Sequence, residues 1–159
     1  MRLLKPHEAA TLPREVLEEH IVSLLRRCHG HLALRGAHAR LLRLGLPRLT
    51  AAFALSKLLA SCASARGTAA SSSYARSLFD QIPDPTAFCY NSLIRALPAS
   101  GPPIAALAVY RRMLRAGSPR PNSFTLAFAL KACAAAPPAP AEGRQLHAQA
   151  FRQGLEPGA

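Results

Sequence analysis

The chain of 159 residues is half hydrophobic, yet no apolar run approaches the 18 residues that a membrane-spanning helix needs, so we expect no membrane insertion. Lysine and arginine number 20 against 8 acidic residues, and the formal charge of +12 favours a polyanionic partner, nucleic acid before anionic lipid. The alternative is compositional bias, because arginine outnumbers lysine 17 to 3 beside abundant alanine and proline.

The N-terminal segment, residues 1–19, is expected to be partly disordered and to be a poor targeting peptide. It has early basic residues, but it also carries Glu8, Glu15, Glu18 and Glu19. Organellar transit peptides are poor in acidic residues. Import into an organelle is therefore not indicated by this segment itself.

An apolar quartet spaced i, i+3, i+4, i+7 then recurs four times, and each copy predicts a helix with one buried face. The copies are separated by 34, 35 and 36 residues, and cysteine serves in them as a small apolar side chain. The quartets are Ile21, Leu24, Leu25, Cys28; Leu55, Leu58, Leu59, Cys62; Tyr90, Leu93, Ile94, Leu97; and Leu126, Ala129, Leu130, Cys133. A nearly constant offset indicates internal repeats.

A second quartet follows each of these and predicts a second helix, after a loop rich in Gly, Pro or Ser. A glycine and then a proline follow three of the second helices, and Gly45, Gly117 and Gly154 are predicted to end them. The second quartets are Leu34, Ala37, His38, Leu41; Ala75, Leu78, Phe79, Ile82; Ala106, Val109, Tyr110, Met113; and Gly143, Leu146, His147, Ala150. We interpret the two histidines as packing residues rather than metal ligands.

The predicted fold is therefore all-α: an α-solenoid of four helix–turn–helix repeats of 34–36 residues. One such hairpin cannot bury its apolar face alone, and stacked neighbours share a continuous core. The predicted repeats span residues 20–51, 52–86, 87–122 and 123–158.

The third repeat closely resembles the pentatricopeptide repeat. The matching positions are Tyr90, Asn91, Leu93, Ile94, Gly101, Ala106, Leu107, Met113, Gly117, Pro121 and Asn122. The repeats at 20–51 and 123–158 resemble the long variant of the plant subfamily with alternating repeat lengths, and 52–86 resembles the short variant. The resemblance implies sequence-specific binding of single-stranded RNA in a mitochondrion or chloroplast, and most often the positioning of a cytidine for conversion to uridine.

The resemblance also implies which side chains would read bases: a polar residue early in a first helix and the last residue of the same repeat. Here these are Asn91 and Asn122, an amide pair that in the family favours cytidine over uridine, and Ser56 and Thr86, whose hydroxyls discriminate weakly. In the last repeat Ala127 and Gly158 cannot read a base. A capping or solvated role is the alternative for Asn91.

Two further sets of residues are candidates for RNA contact. Phe53, Phe88 and Phe124 each precede a first-helix quartet by two residues and could stack on bases, or could act as hydrophobic staples. Candidate phosphate contacts are supplied by five arginines, for which a solvated outer face is the alternative. These are Arg26, Arg27, Arg35, Arg40 and Arg43.

We expect no enzyme activity, because the His-x-Glu and Pro-Cys-x-x-Cys motifs of a zinc deaminase do not occur. The four cysteines form no Cys-x-x-Cys pair either, so we predict no disulfide, no metal site and no cofactor. The expected partners are then editing-complex proteins or a deaminase acting in trans, and no small-molecule substrate is expected. The chain is expected to be a fragment or a truncated member of the family. The alternative function is a protein–protein scaffold of the same shape.

Overall fold

A computed structural model describes residues 4–64, 69–97 and 104–134, together with the isolated positions 144 and 148. These residues form eight helices and no strand, which confirms the all-α prediction. The helices are α1 Pro6–Ala9, α2 Arg14–Arg26, α3 His31–Arg43, α4 Arg48–Ser64, α5 Ala69–Asp80, α6 Ala87–Ala96, α7 Ile104–Ala116 and α8 Ser123–Ala134. Within this part of the chain, no helix is both long and apolar enough to span a bilayer.

The helices form two layers. The first helices of the repeats, α2, α4, α6 and α8, pack one against the next in chain order. Each second helix lies against two first helices: α3 contacts α2 and α4, α5 contacts α4 and α6, and α7 contacts α6 and α8. This serial packing is that of a helical-repeat solenoid, in which every unit contacts only its neighbours.

The first-helix quartets belong to the hydrophobic core or pack against it. None of the sixteen first-helix positions is exposed, and of the twelve second-helix positions in α3, α5 and α7 and the turns after them only His38 is not fully buried. The fourth second-helix quartet lies outside the described residues. The repeat boundaries remain a prediction, and α4 begins at Arg48, inside the repeat predicted to end at residue 51.

Two of the three glycines predicted to end second helices have the left-handed backbone conformation expected there. Gly45 and Gly117 follow α3 and α7 with φ of +61° and +72°, in the left-handed region where a side chain is strained. The third, Gly154, lies outside the described residues.

His38 joins α3 to α5 through Tyr74. The Tyr74 hydroxyl lies 3.0 Å from His38 Nδ1, and the ring of His31 packs edge-on against Tyr74 at 5.3 Å. Burial raises the pKa of Tyr74 to about 12 and lowers the pKa of His38. The tyrosine therefore stays protonated beside a neutral imidazole near pH 7.

We expect the free energy of unfolding to decrease as the pH falls below about 6.5. The pKa of His38 is lower in the folded chain than in the unfolded chain, so the unfolded state binds the proton first on acidification. His20 acts in the same direction, because burial and then the charge of Arg40 lower its pKa. Urea titrations between about pH 7.5 and about pH 5.5 measure this slope.

In the same titrations, His38→Gln should show a shallower pH slope than the unsubstituted chain. The remaining slope comes in part from His20. His29→Gln is the control, because its ring is exposed and its Nδ1 contacts only the Arg27 carbonyl in the described chain. An unchanged slope in His38→Gln would show that His38 does not couple protonation to folding.

Candidate functional site

The first helices line an open groove on the face that the second helices leave uncovered. This groove has a volume of about 590 Å³ and is formed by α2, α4 and α6 with the turn at residues 28–30. Arg26, His29, Lys57 and Arg95 contribute basic side chains, and none of the described residues that line it is acidic. The groove is therefore a positively charged cleft, suited to a negatively charged ligand.

Lys57 lies between aromatic rings of two successive repeats. Its Nζ atom is 5.1 Å from the ring centroid of Phe53, one turn earlier on α4, and 5.3 Å from that of Phe88 on α6. Both distances are in the range of a cation–π interaction. The Lys57 ammonium group has no hydrogen bond or ion pair to the described residues, so its three N–H donors remain available to a ligand.

Arg95 connects three first helices. Its guanidinium lies 5.9 Å from the ring centroid of Phe128 on α8, and Nη2 donates to Ser64 Oγ on α4 at 3.3 Å. Sequence reasoning missed both Arg95 and Lys57. A signal for Arg95 was present, because Arg26, Arg95 and Lys131 each follow the first member of their quartet by five residues.

Asn91 and Asn122, near the two ends of the predicted repeat 87–122, form a hydrogen-bonded pair. Asn91 Nδ2 donates to Asn122 Oδ1 at 3.1 Å, and Asn91 Oδ1 accepts from the hydroxyl of Thr125 at 2.6 Å. Asn122 also caps α8, since its Oδ1 accepts from the Thr125 backbone N–H at 3.0 Å. Asn91 is 8% exposed and Asn122 is half-buried, so the accessible edge of the pair belongs to Asn122.

No family model and no solved structure matches the chain. A pentatricopeptide repeat-containing protein of Arabidopsis thaliana is 37% identical over 139 residues, which are 87% of this chain. This match supports assignment of the chain to the pentatricopeptide repeat family. The chain spans 22% of the length of that relative.

The pentatricopeptide repeat pattern singles out Ser56 and Thr86 as a second pair, and the structure records no hydrogen bond between these two residues. The Ser56 hydroxyl lies 2.6 Å from the Ala52 carbonyl oxygen and donates along its own helix. Thr86 is exposed at the N-cap of α6, with its hydroxyl 3.4 Å from Cys89 Sγ. This second pair is not pre-assembled as Asn91 and Asn122 are.

The three phenylalanines differ in their surroundings. Phe53 is half-buried, whereas Phe88 is 48% and Phe124 66% exposed. Phe88 lines the groove, and Phe124 lies in the first turn of α8, two residues after Asn122. Such exposure leaves ring faces available for stacking, which a buried hydrophobic staple would not.

Of the five arginines singled out by sequence, only Arg26 lines the groove. Arg27 lies at the C-terminal cap of α2, and the other three are on α3, a second helix. Arg40 there is half-buried close to His20. Lys57 and Arg95 are therefore stronger candidates for contact with a ligand in the groove than the arginines of α3.

The groove offers basic side chains and the exposed ring of Phe88. The amide pair of Asn91 and Asn122 is a separate feature, because neither residue lines the groove. Within the described residues, no group of three or more His, Cys, Asp or Glu side chains is arranged to hold a metal ion. Cations attract phosphates, aromatic rings stack on bases, and amides pair with base edges.

Proposed function

We propose that this chain is a segment of a pentatricopeptide repeat protein of the plant subfamily with alternating repeat lengths, and that its groove binds single-stranded RNA. The observation that carries the proposal is the groove itself, in which Arg26, Lys57 and Arg95 lie beside the exposed ring of Phe88, with no acidic residue among the described lining. A single strand presents both a phosphate backbone and unstacked bases. The basic side chains of the groove match the phosphates, and the Phe88 ring matches the bases.

The role follows from the resemblance to the family. The chain would act as a non-enzymatic adaptor in organellar RNA processing, in a mitochondrion or chloroplast, and would serve C-to-U editing by positioning a cytidine. A deaminase acting in trans, or other editing-complex proteins, would supply the chemistry. The match to a pentatricopeptide repeat-containing plant relative supports the general role in RNA processing, and the much greater length of that relative supports the proposal that further repeats belong to the whole protein.

A protein–protein scaffold is the second candidate function, and one observation favours it. A cleft with four basic side chains would also accept an acidic peptide. The two functions differ in what the aromatic rings would do, because an extended acidic peptide has no planar bases to stack on Phe88.

Fluorescence anisotropy with a labelled twelve-nucleotide single-stranded RNA separates the two functions. We expect binding that weakens with salt, poor competition by duplex RNA, and poor competition by a polyglutamate peptide of equal charge. Equal competition by the peptide, or no binding of the single strand, would contradict RNA recognition.

Replacing Phe88 with alanine should lower the affinity for single-stranded RNA by about 5- to 150-fold, which corresponds to roughly 1–3 kcal/mol for a stacked base. The urea midpoint should change little, because the ring is 48% exposed. Anisotropy titrations and urea unfolding measure the two quantities.

Ile104→Ala is the matched control, because Ile104 is 50% exposed and lies on the second helix α7. Its affinity for RNA should equal that of the unsubstituted chain. An equal loss in both variants would mean that Phe88 acts only as general apolar surface.

A further inference from the structure

The second helices α3, α5 and α7 present a basic outer face on the side of the molecule away from the groove. The acidic residue in these three helices is Asp80, and it pairs with Arg112 at 2.9 Å. Four exposed arginines of this outer face have no ion pair to the described residues: Arg35 and Arg43 on α3, Arg76 on α5 and Arg115 on α7. The outer face therefore carries a positive charge that is not neutralised within the described chain.

Exposed aliphatic side chains lie among these arginines. On α3, Leu32 is 82% exposed and Leu42 is 64% exposed, and on α7 Ile104 is 50% exposed. At about 3.6 residues per turn, both leucines lie within about a third of the helix circumference, which they share with Arg35 and Arg43. Arginine and aliphatic side chains are therefore interleaved on one exposed surface.

An apolar cavity opens beside Leu42. It has a volume of about 160 Å³ between α3 and α4, and eight of its nine lining residues are Leu, Ala or Gly. The exception is His38, which contacts the Tyr74 hydroxyl through Nδ1. Leu42 and Gly45 are exposed at its rim, so the cavity is reached from the outer face. Apolar cavities accept apolar groups in preference to water, so an aliphatic chain suits this one.

A bilayer that contains anionic lipids matches the outer face better than RNA or a peptide does. Its headgroups attract arginine, and its acyl chains accept aliphatic side chains at the interface. RNA phosphates also attract arginine, but they would leave the exposed leucines in water. The pattern extends from α3 to α7, which is roughly 20 Å at the usual spacing of neighbouring helices. That width suits a broad, flat partner rather than a narrow peptide.

We propose that the outer face of α3, α5 and α7 docks on an anionic lipid surface. Its arginines contact the headgroups, and Leu32 and Leu42 enter the boundary with the acyl chains. The chain then lies on the bilayer without spanning it, and the groove on the opposite side stays open to a ligand. This inference does not depend on what the groove binds.

Cosedimentation of the 159-residue chain with vesicles measures this docking. We expect binding to vesicles in which about a third of the lipid is phosphatidylglycerol, and little binding to pure phosphatidylcholine. Replacing Arg35, Arg43 and Arg76 together with glutamine should weaken the binding by about 100-fold, since each arginine near an anionic surface contributes about 5-fold. No binding to the anionic vesicles, or equal binding to the neutral ones, would overturn the proposal.

The matched control removes the same charge from the groove. The triple glutamine variant of Arg26, Lys57 and Arg95 should lose less than about 3-fold in vesicle affinity, because these side chains lie on the far side of the helix layers, beyond a screening length of about 8–10 Å. An equal loss in the two triple variants would mean that net charge alone attracts the chain, and would refute docking through the outer face.

The double variant Leu32→Ser and Leu42→Ser tests the aliphatic contribution. At about 0.5 M salt, where charges are strongly screened, it should bind anionic vesicles at least about 10-fold more weakly than the unsubstituted chain. Its urea midpoint should change little, because both side chains are exposed. Val16→Ser is the control, since Val16 is 45% exposed on the first helix α2. Unchanged binding by the double variant would rule out entry of the leucines into the bilayer.

Competition experiments separate the lipid surface from other anionic partners. Polyglutamate at an equal concentration of negative charge should leave the chain on the vesicles, and complete displacement would favour an acidic protein and overturn lipid docking. Single-stranded RNA should bind to the vesicle-bound chain, because the two sites lie on opposite faces, and displacement by RNA would contradict this arrangement. Vesicle binding by a chain that binds no RNA would uphold the docking and refute the proposed function.

Discussion

Replacing Phe79 with alanine should lower the free energy of unfolding by about 3–5 kcal/mol, the range for removal of a buried aromatic ring. Phe79 is 1% exposed, and its ring packs edge-on against Tyr90 of α6 at 4.9 Å. Arg112 of α7 lies over the same ring at 5.1 Å while it pairs with Asp80 at 2.9 Å. One side chain thus joins α5, α6 and α7, and urea unfolding measures its loss.

Phe124→Ala is the control for this prediction. It removes the same ring, but from a position that is 66% exposed, and its urea midpoint should hardly move. Equal destabilisation by the two substitutions would mean that the packing between successive repeats is not what holds the chain together.

Replacing Arg26, Lys57 and Arg95 together with glutamine should weaken binding of single-stranded RNA by about 100-fold at about 0.1 M salt. Each phosphate contact contributes about 0.7 to the slope of the logarithm of affinity against the logarithm of salt concentration, so three contacts lower the slope by about 2. All three side chains line the groove. Anisotropy titrations at several salt concentrations give both quantities.

The matched control removes the same charge from second helices. Arg35 and Arg43 on α3 and Arg76 on α5 are exposed and do not line the groove. Their triple glutamine variant should change the affinity by less than about 3-fold. A larger effect than that of the groove variant would favour the α3 arginines as phosphate contacts and refute the assignment to Lys57 and Arg95.

The fold was predictable because its information is local. An apolar quartet repeated at a nearly constant offset specifies a buried face on each helix, and a glycine past the helix end specifies the stop, as at Gly45 and Gly117. The helix α4 shows that the spacing of apolar residues does not always reveal which face of a helix is buried. It contacts α2, α3, α5 and α6, so it carries apolar side chains on most of its faces. No single apolar face then stands out in its sequence.

The site was predictable only in part, because its contacts join residues more than thirty positions apart. The sequence singled out Asn91 and Asn122. The hydroxyl of Thr125, however, can donate a hydrogen bond to Asn91 only when α8 packs on α6. Lys57 was missed for the same reason, since its second aromatic partner, Phe88, belongs to the next repeat. Side chains placed by stacking between repeats are not visible in any single repeat.

Chemical-shift mapping by NMR with a single-stranded RNA tests the central claim most directly. The account predicts that the largest changes fall on the groove and the amide pair, at Lys57, Phe88, Arg95 and Asn122, while Arg43 and Arg115 on the second helices stay unchanged. Changes centred on α3, α5 and α7, or none at saturating RNA, would contradict it.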